Sequence, residues 1–300
     1  MSTSEIVIAS RLQIVKYFKV SGLAVLAIDY CINLDTEVTL TWNRSWSFVR
    51  VLFVLARYLP FLDVPVDLYY SSIPKSTALC LPLYQAASWI NVVGTVTAEA
   101  LLLVRTWVLW GRSKIVLAGL VALAAVCIAG SGVVGAIAVR SMTFGPPPLS
   151  TSGCYQTHSV SIYAWDYAIL AFFELVILLL TGYQAFRHLR HSHSLLILRL
   201  YGDGIFYVLC ILVMSTVNIV VISALPNEYA ELIDTLQAVM HSVLASRLLF
   251  NLRKIMREQH IVISNTSQPT DVDTIPMFVA VNPEAVSGSF DVASWEQDRG

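Results

Sequence analysis

Arg57, Glu99, Glu174, Asn218, Asp234 and His241 are the side chains in this sequence that could do chemistry where chemistry is least expected. Each lies inside or at the edge of a long apolar run. The carboxylates of Glu99 and Glu174 and the imidazole of His241 take up and pass protons, and a guanidinium holds an anion or neutralises a carboxylate. A charge at the middle of a bilayer costs about 3 kcal/mol or more, so such groups face the interior of a helical bundle and find partners there. Counting along the runs puts Arg57, Glu174 and His241 at similar depth, with Glu99 somewhat nearer one end. The expectation is that Glu174 or Glu99 neutralises Arg57 across the bundle. Two uses fit: a polar staple that fixes which helices pack together, or a ligand pocket or relay edged by these six residues.

Other chemistries find no support in the residue pattern. Only His241 lies within the membrane core, which argues against a multi-histidine zinc site there. His188, His191 and His193 stand close together beside Arg187 and Arg190 and read as a solvated basic loop. GxSxG, HExxH, P-loop and GxGxxG patterns are absent, and the last apolar run has no lysine for a Schiff base. No catalytic residue, metal or cofactor is expected, and the chain is not expected to be an enzyme.

The elements that must position these groups follow from composition. The 300 residues are 56% hydrophobic and 13% charged, with a net charge of −1. A soluble surface could not be covered by so few charges, and the lack of a basic field excludes nucleic acid as a partner. A helix needs about 20 largely apolar residues to cross a bilayer. Seven runs qualify, roughly 14–34, 48–68, 83–110, 115–139, 161–186, 200–225 and 229–250. In lipid each must satisfy its own backbone, so the expectation is an all-α polytopic bundle of seven transmembrane helices. Residues 1–13 form a short N-terminal segment, 14–250 the membrane domain, and 251–300 a tail, basic and helical at first, then acidic and disordered.

Lysine and arginine asymmetry orients the bundle. Placing the N-terminus outside puts Arg105, Arg112, Lys114, Arg187, Arg190, Arg247 and Arg253 on the inner side, against Arg11, Lys16, Lys19, Lys75 and Arg140 outside. The sequons at Asn43 and Asn265 then fall inside, out of reach of glycosylation. Cys80 and Cys154 fall on the outer, oxidising side, where a disulfide would clamp the proline-rich loop over the bundle mouth. The alternative is two free thiols. Cys31, Cys127 and Cys210 read as packing residues inside helices.

Three local patterns refine this. Ser88, Asn91, Thr95 and Glu99 recur at helical spacing, as do Asp234, Gln237 and His241, so each set shares one face. Ser131 with Gly135, and Gly132 with Ala136, would permit close helix packing by the charge-free fourth run. Asp35 and Glu37 are expected at the inner mouth of the first helix near Arg44 and Arg50, in a screened ion network or in contact with a cytosolic partner.

The general plan resembles that of G-protein-coupled receptors, although RTWVLWGR, SRLLFNLRK and the proline-free sixth run do not carry their usual switch motifs. The segment DYCINLDTEVTLTWNRSWSFVRVLFVLARYLPF, spanning 14–68 with its flanks, is similar to the N-terminal domain of unknown function in multi-pass proteins of mushroom-forming fungi. Asp29, Asp35, Glu37, Trp42, Leu52, Phe53, Arg57 and Tyr58 carry the likeness, which implies seven helices and a membrane location. The leading functional expectation is a receptor-like protein in the plasma membrane. It would bind a ligand on its outer side and meet a cytosolic signalling partner through Arg112, Arg187, Arg190 and Arg253. A structural or assembly protein and a proton-coupled transporter are the alternatives.

Overall fold

The computed structural model describes residues 3–42, 47–72, 77–145, 153–156, 162–190 and 195–265. Among them the chain is all-helical apart from one short hairpin. α1 (Thr3–Glu37) ends in a π turn, Val38–Trp42. α2 (Phe48–Tyr58) and α3 (Pro60–Ser72) form one rod, followed by a 3-10 turn at Thr77–Leu79. α4 (Cys80–Leu109), α5 (Lys114–Ser141), α6 (Tyr163–Leu189), α7 (Leu195–Ala224) and α8 (Asp234–Asn265) complete the bundle. β1 (Phe144–Gly145) pairs antiparallel with β2 (Tyr155–Gln156).

Among the described residues four stretches are long and apolar enough to cross a membrane: Cys80–Leu109, Lys114–Ser141, Tyr163–His188 and Gly204–Ala224. They make the chain a multi-pass membrane protein, since only a helix satisfies every backbone donor within lipid. α1, the α2–α3 rod and α8 carry more charge, and these three pack against one another. Gly22 of α1 lies against α8, where a Cβ would stand 3.3 Å from the Thr235 methyl. Leu26, Val64, Val239 and Val243 join α1, α3 and α8 in one apolar cluster. Leu52, Ala56, Ala98, Leu101 and Ala245 join α2, α4 and α8. Leu102, Phe173, Ile177, Val208, Ile211, Leu244 and Leu248 join α4, α6, α7 and α8. α8 contributes to all three, so it is the axis of the bundle.

Several boundaries differ from the sequence reading, each for a local reason. The second run is broken at Leu59 because Pro60 has no N–H to donate. Leu59 nevertheless keeps helical dihedrals and donates to the Leu55 carbonyl, so the rod continues. α4 stops where Gly111 and Arg112 turn left-handed, at φ 62° and 59°. The basic stretch after residue 250 is no separate helix; α8 runs through it to Asn265.

The small residues of α5 are not used as expected. Nothing lies within 4 Å of a Cβ placed on Gly132 or Gly135, and Val126 and Val133 are 70% and 61% exposed. Among the described residues the Gly132 side of α5 meets no helix, because α5 leans on α6 through Gly130 against Ile169 and Ser131 against Asp166. Cys31 faces outward rather than packing inside. The sequon at 43–45, Lys75, His191, His193 and the acidic tail lie outside the described residues, as does the side chain of Arg253.

Candidate functional site

The polar side chains of the bundle gather at three levels along α8. The middle level is built from one residue on each of three helices. Glu99 comes from α4, at the end of its expected polar stripe, Glu174 from α6 and His241 from α8. All three are buried. His241 Nδ1 lies 3.0 Å from the Gln237 carbonyl oxygen, which only accepts, so Nδ1 carries a proton. The other ring nitrogen, Nε2, lies 3.1 Å from Glu99 Oε1 and 3.3 Å from Glu174 Oε1. The Ser215 hydroxyl donates to Glu174 Oε1 at 2.8 Å, and Gln237 Nε2 donates to Ser215 Oγ at 2.8 Å. Asn218 Nδ2 donates in turn to Gln237 Oε1. Each contact from Nε2 to a carboxylate oxygen is a hydrogen bond only if a proton sits on one side of it. The middle level therefore sets two acceptor oxygens against one ring nitrogen and needs positive charge between them.

The level nearest the end of α1 holds Arg57, and here the sequence expectation is corrected. Arg57 is neutralised neither by Glu174 nor by Glu99. Its Nε donates to Glu37 Oε2 at 2.8 Å and its Nη1 to Asp29 Oδ2 at 2.9 Å. Arg247 of α8 reaches Asp29 Oδ1 at 2.9 Å, and the Tyr58 hydroxyl donates to Glu37 Oε1 at 2.7 Å. The guanidinium also lies over the rings of Tyr30 and Phe250, at 5.6 and 5.7 Å. α1 is the sequence neighbour of α2 and packs beside the rod that α2 starts, and it stays helical beyond residue 34, which carries Glu37 inward. Glu37 is thus fully buried rather than part of a screened network at the mouth. Asp29 shares Arg57's level.

The third level lies at the pole where α1 begins. Lys19 is fully buried, and its Nζ donates three hydrogen bonds: to Asp67 Oδ1 at 2.8 Å, Ser71 Oγ at 2.8 Å and Glu231 Oε2 at 2.7 Å. An ammonium has three donors, so all are used. The Thr235 hydroxyl donates to Asp67 Oδ2 at 2.9 Å. Asp234 belongs near this level, accepting from the Tyr167 hydroxyl. The six expected pocket residues thus divide. Glu99, Glu174 and His241 touch, Asn218 joins them through Gln237 and Ser215, and Arg57 and Asp234 stand apart because their helices present them at other heights.

Lys19, Asp67, Glu231, Ser215 and Gln237 were not among the expected site residues. A signal existed for the first two: a lysine and an aspartate both fall inside expected spans. Glu231 and Ser215 also fall inside expected spans, but only packing shows which partners they meet.

At the same pole Cys80 and Cys154 form a disulfide, as expected, closing a separation of 74 residues. The Cys154 N–H donates to the Tyr70 carbonyl at 3.1 Å. The strap crosses α3 through Gly153, whose φ of +118° and a Cβ position 2.1 Å from the Ser71 carbonyl oxygen leave room for glycine alone. Gly153→Ala is expected to lift Cys154 off α3 and destabilise the fold by about 1–3 kcal/mol. A lower thermal midpoint, with more Cys80 and Cys154 thiol labelled by maleimide in a background lacking the other three cysteines, checks this. Beside the strap is a cavity of about 60 Å³, lined by Lys16, Tyr70, Ser71, Tyr155, Glu228 and Glu231 among others. Such a volume holds a few waters. Arg11 pairs with Glu228 at 3.4 Å on its rim.

At the opposite pole Arg112 follows α4, Arg190 caps α6 exposed, and Trp110 stacks on Tyr183 with ring centroids 5.9 Å apart. His188 of the expected histidine cluster contacts Gln184 at 3.0 Å.

Fold and composition define the class: a helical, multi-pass integral membrane protein with an ionic core. A family of unknown function, DUF6533, matches residues 17–62, which hold most of α1 and the start of the α2–α3 rod, including Lys19, Asp29, Glu37 and Arg57. No curated protein matches the chain.

Proposed function

We propose that the chain is a seven-pass, receptor-like protein of the plasma membrane that catalyses no reaction of its own. α1, the α2–α3 rod and α8 cross the bilayer together with the four more apolar helices. The charges that make these three rods look unfit for lipid favour this reading, because Lys19, Asp29, Glu37 and Arg57 are all turned inward and paired. The N-terminus lies on the same side as the disulfide, in an oxidising space, and the tail lies in the cytosol.

On this reading a ligand meets the outer pole at the cavity beside the Cys154 strap. The observation that carries the reading is the continuity from that cavity into the core. Its lining residue Glu231 binds Lys19, Lys19 binds Asp67, and Asp67 binds Thr235 on α8. α8 then carries Gln237, His241 and Arg247 at successive heights, the last on a different side of the same helix, so a shift of α8 reaches all three. A ligand that redistributes the partners of Lys19 would therefore move α8, and with it the basic inner surface of Arg112, Arg187, Arg190 and Arg253 that meets a signalling partner.

Affinity purification of the tagged full-length chain from its own membranes tests this. A G-protein α subunit is expected to co-purify without nucleotide and to be released by a non-hydrolysable GTP analogue. A preparation with no nucleotide-sensitive partner, together with proton-driven flux in proteoliposomes, would replace the receptor with a transporter.

A further inference from the structure

The three atoms at the middle level have the arrangement of a metal site. Glu99 Oε1, Glu174 Oε1 and His241 Nε2 lie within 4.8 Å of one another, and the two distances from Nε2 are 3.1 and 3.3 Å. Ligands held about 2.0–2.2 Å from a tetrahedral zinc ion stand about 3.3–3.6 Å apart, so the two distances from Nε2 are already close to ligand spacing. The far ring nitrogen is tied down in the way metal-binding histidines are, by donating Nδ1–H to a backbone carbonyl, which aims Nε2 at the centre. Ser215 fixes Glu174 from outside the trio at 2.8 Å.

A second observation points the same way. Glu99 Oε2 and Glu174 Oε2 are buried and have no hydrogen-bond partner among the described residues. The carboxylates of the cluster thus hold more acceptor capacity than their surroundings supply in donors, and the neighbouring Ser215 and Gln237 are neutral. With both carboxylates ionised and the imidazole neutral, the cluster carries two negative charges in a low-dielectric core. One divalent cation cancels them. Two protons would also cancel them.

We propose that Glu99, Glu174 and His241 form a binding site for a divalent transition-metal ion of the zinc type, joining α4, α6 and α8 at the centre of the bundle. The inference goes beyond the receptor reading and does not depend on it. The ion would tie three helices at one point, with the Glu99 side chain, 9% exposed, as the edge through which it enters. One nitrogen and two carboxylate oxygens suit zinc better than magnesium, which prefers oxygen alone, or copper(I), which prefers sulfur.

The test uses the full-length chain in lipid nanodiscs, stripped with chelator, equilibrated with Zn²⁺ and desalted. His188, His191 and His193 are first replaced by Asn to remove loop binding. About one zinc per chain is expected in that background, falling below about a tenth with Glu174→Gln or His241→Gln, consistent with loss of a ligand. Should either variant aggregate, zinc-edge X-ray absorption of the loop-substituted chain that keeps Glu174 and His241 decides. One imidazole with the remaining ligands all light N/O atoms at about 2.0–2.1 Å is the expected result. Sulfur in the first shell, two or more imidazoles, zinc content unchanged by both substitutions, or no retained zinc would overturn the site and leave a cluster that holds protons only.

Discussion

Arg57→Met is expected to destabilise the protein by about 3–5 kcal/mol, the cost of removing one partner from a buried ion pair. The site explains why the loss is large and which group suffers it. Arg57 and Glu37 have side-chain exposures of 2% and 0%, so no water replaces the lost contact. Asp29 keeps Arg247 at 2.9 Å, whereas the carboxylate of Glu37 keeps only the Tyr58 hydroxyl. The orphan is therefore Glu37. A total stability of roughly 5–15 kcal/mol is typical of folded domains, so a loss of this size removes a large part of it. Thermal unfolding of the variant in detergent should show a much lower midpoint, with a poor yield of monodisperse protein. Adding Glu37→Gln to Arg57→Met should recover part of the loss, since it removes the uncompensated charge. If the double variant is no more stable than Arg57→Met, the cluster is not what holds α1 against the α2–α3 rod.

Lys19→Met should be the next most damaging change, at about 2–3 kcal/mol, and for a related reason. It strips three hydrogen bonds from one nitrogen and leaves Asp67 beside Glu231 with no cation between them. The effect is smaller than at Arg57 because Asp67 and Glu231 keep 17% and 29% of their side chains exposed, so water compensates in part. Adding Glu231→Gln should restore some of the lost midpoint by removing the like-charge contact. A Lys19→Met variant with an unchanged midpoint would mean that the network at the pole where α1 begins is slack, and the proposed route from cavity to α8 would fail with it.

Much of this architecture was readable residue by residue. Apolar runs long enough for a bilayer announce helices, because lipid leaves the backbone no other way to pair. Helical spacing alone puts Asn91, Thr95 and Glu99 on one face, and Asn91 does reach Asp63 at 3.3 Å while Glu99 reaches His241. The disulfide was likewise open to reasoning, since Cys80 and Cys154 are the two cysteines outside the apolar cores. What failed was the assignment of partners. Counting along a run gives only a coarse depth, which set Arg57 level with Glu174 and His241 when it sits toward Arg247 and Phe250, and it gives neither the direction a residue faces nor which rod stands opposite. Arg57 shows the consequence: depth alone matched it with Glu174, while the helix packed beside it offered Asp29 and Glu37.

The sequence by itself determined a lipid-soluble helical chain, which residues carry charge inside its runs, and the two cysteines able to bridge. The order of the rods was decided only in three dimensions. Covalent and helical geometry act over a few residues, whereas lateral packing sums weak contacts among all the helices at once, and no short stretch encodes that sum. The placing of α8 at the axis is one result of it. The separation of one expected pocket into three stacked polar levels is another.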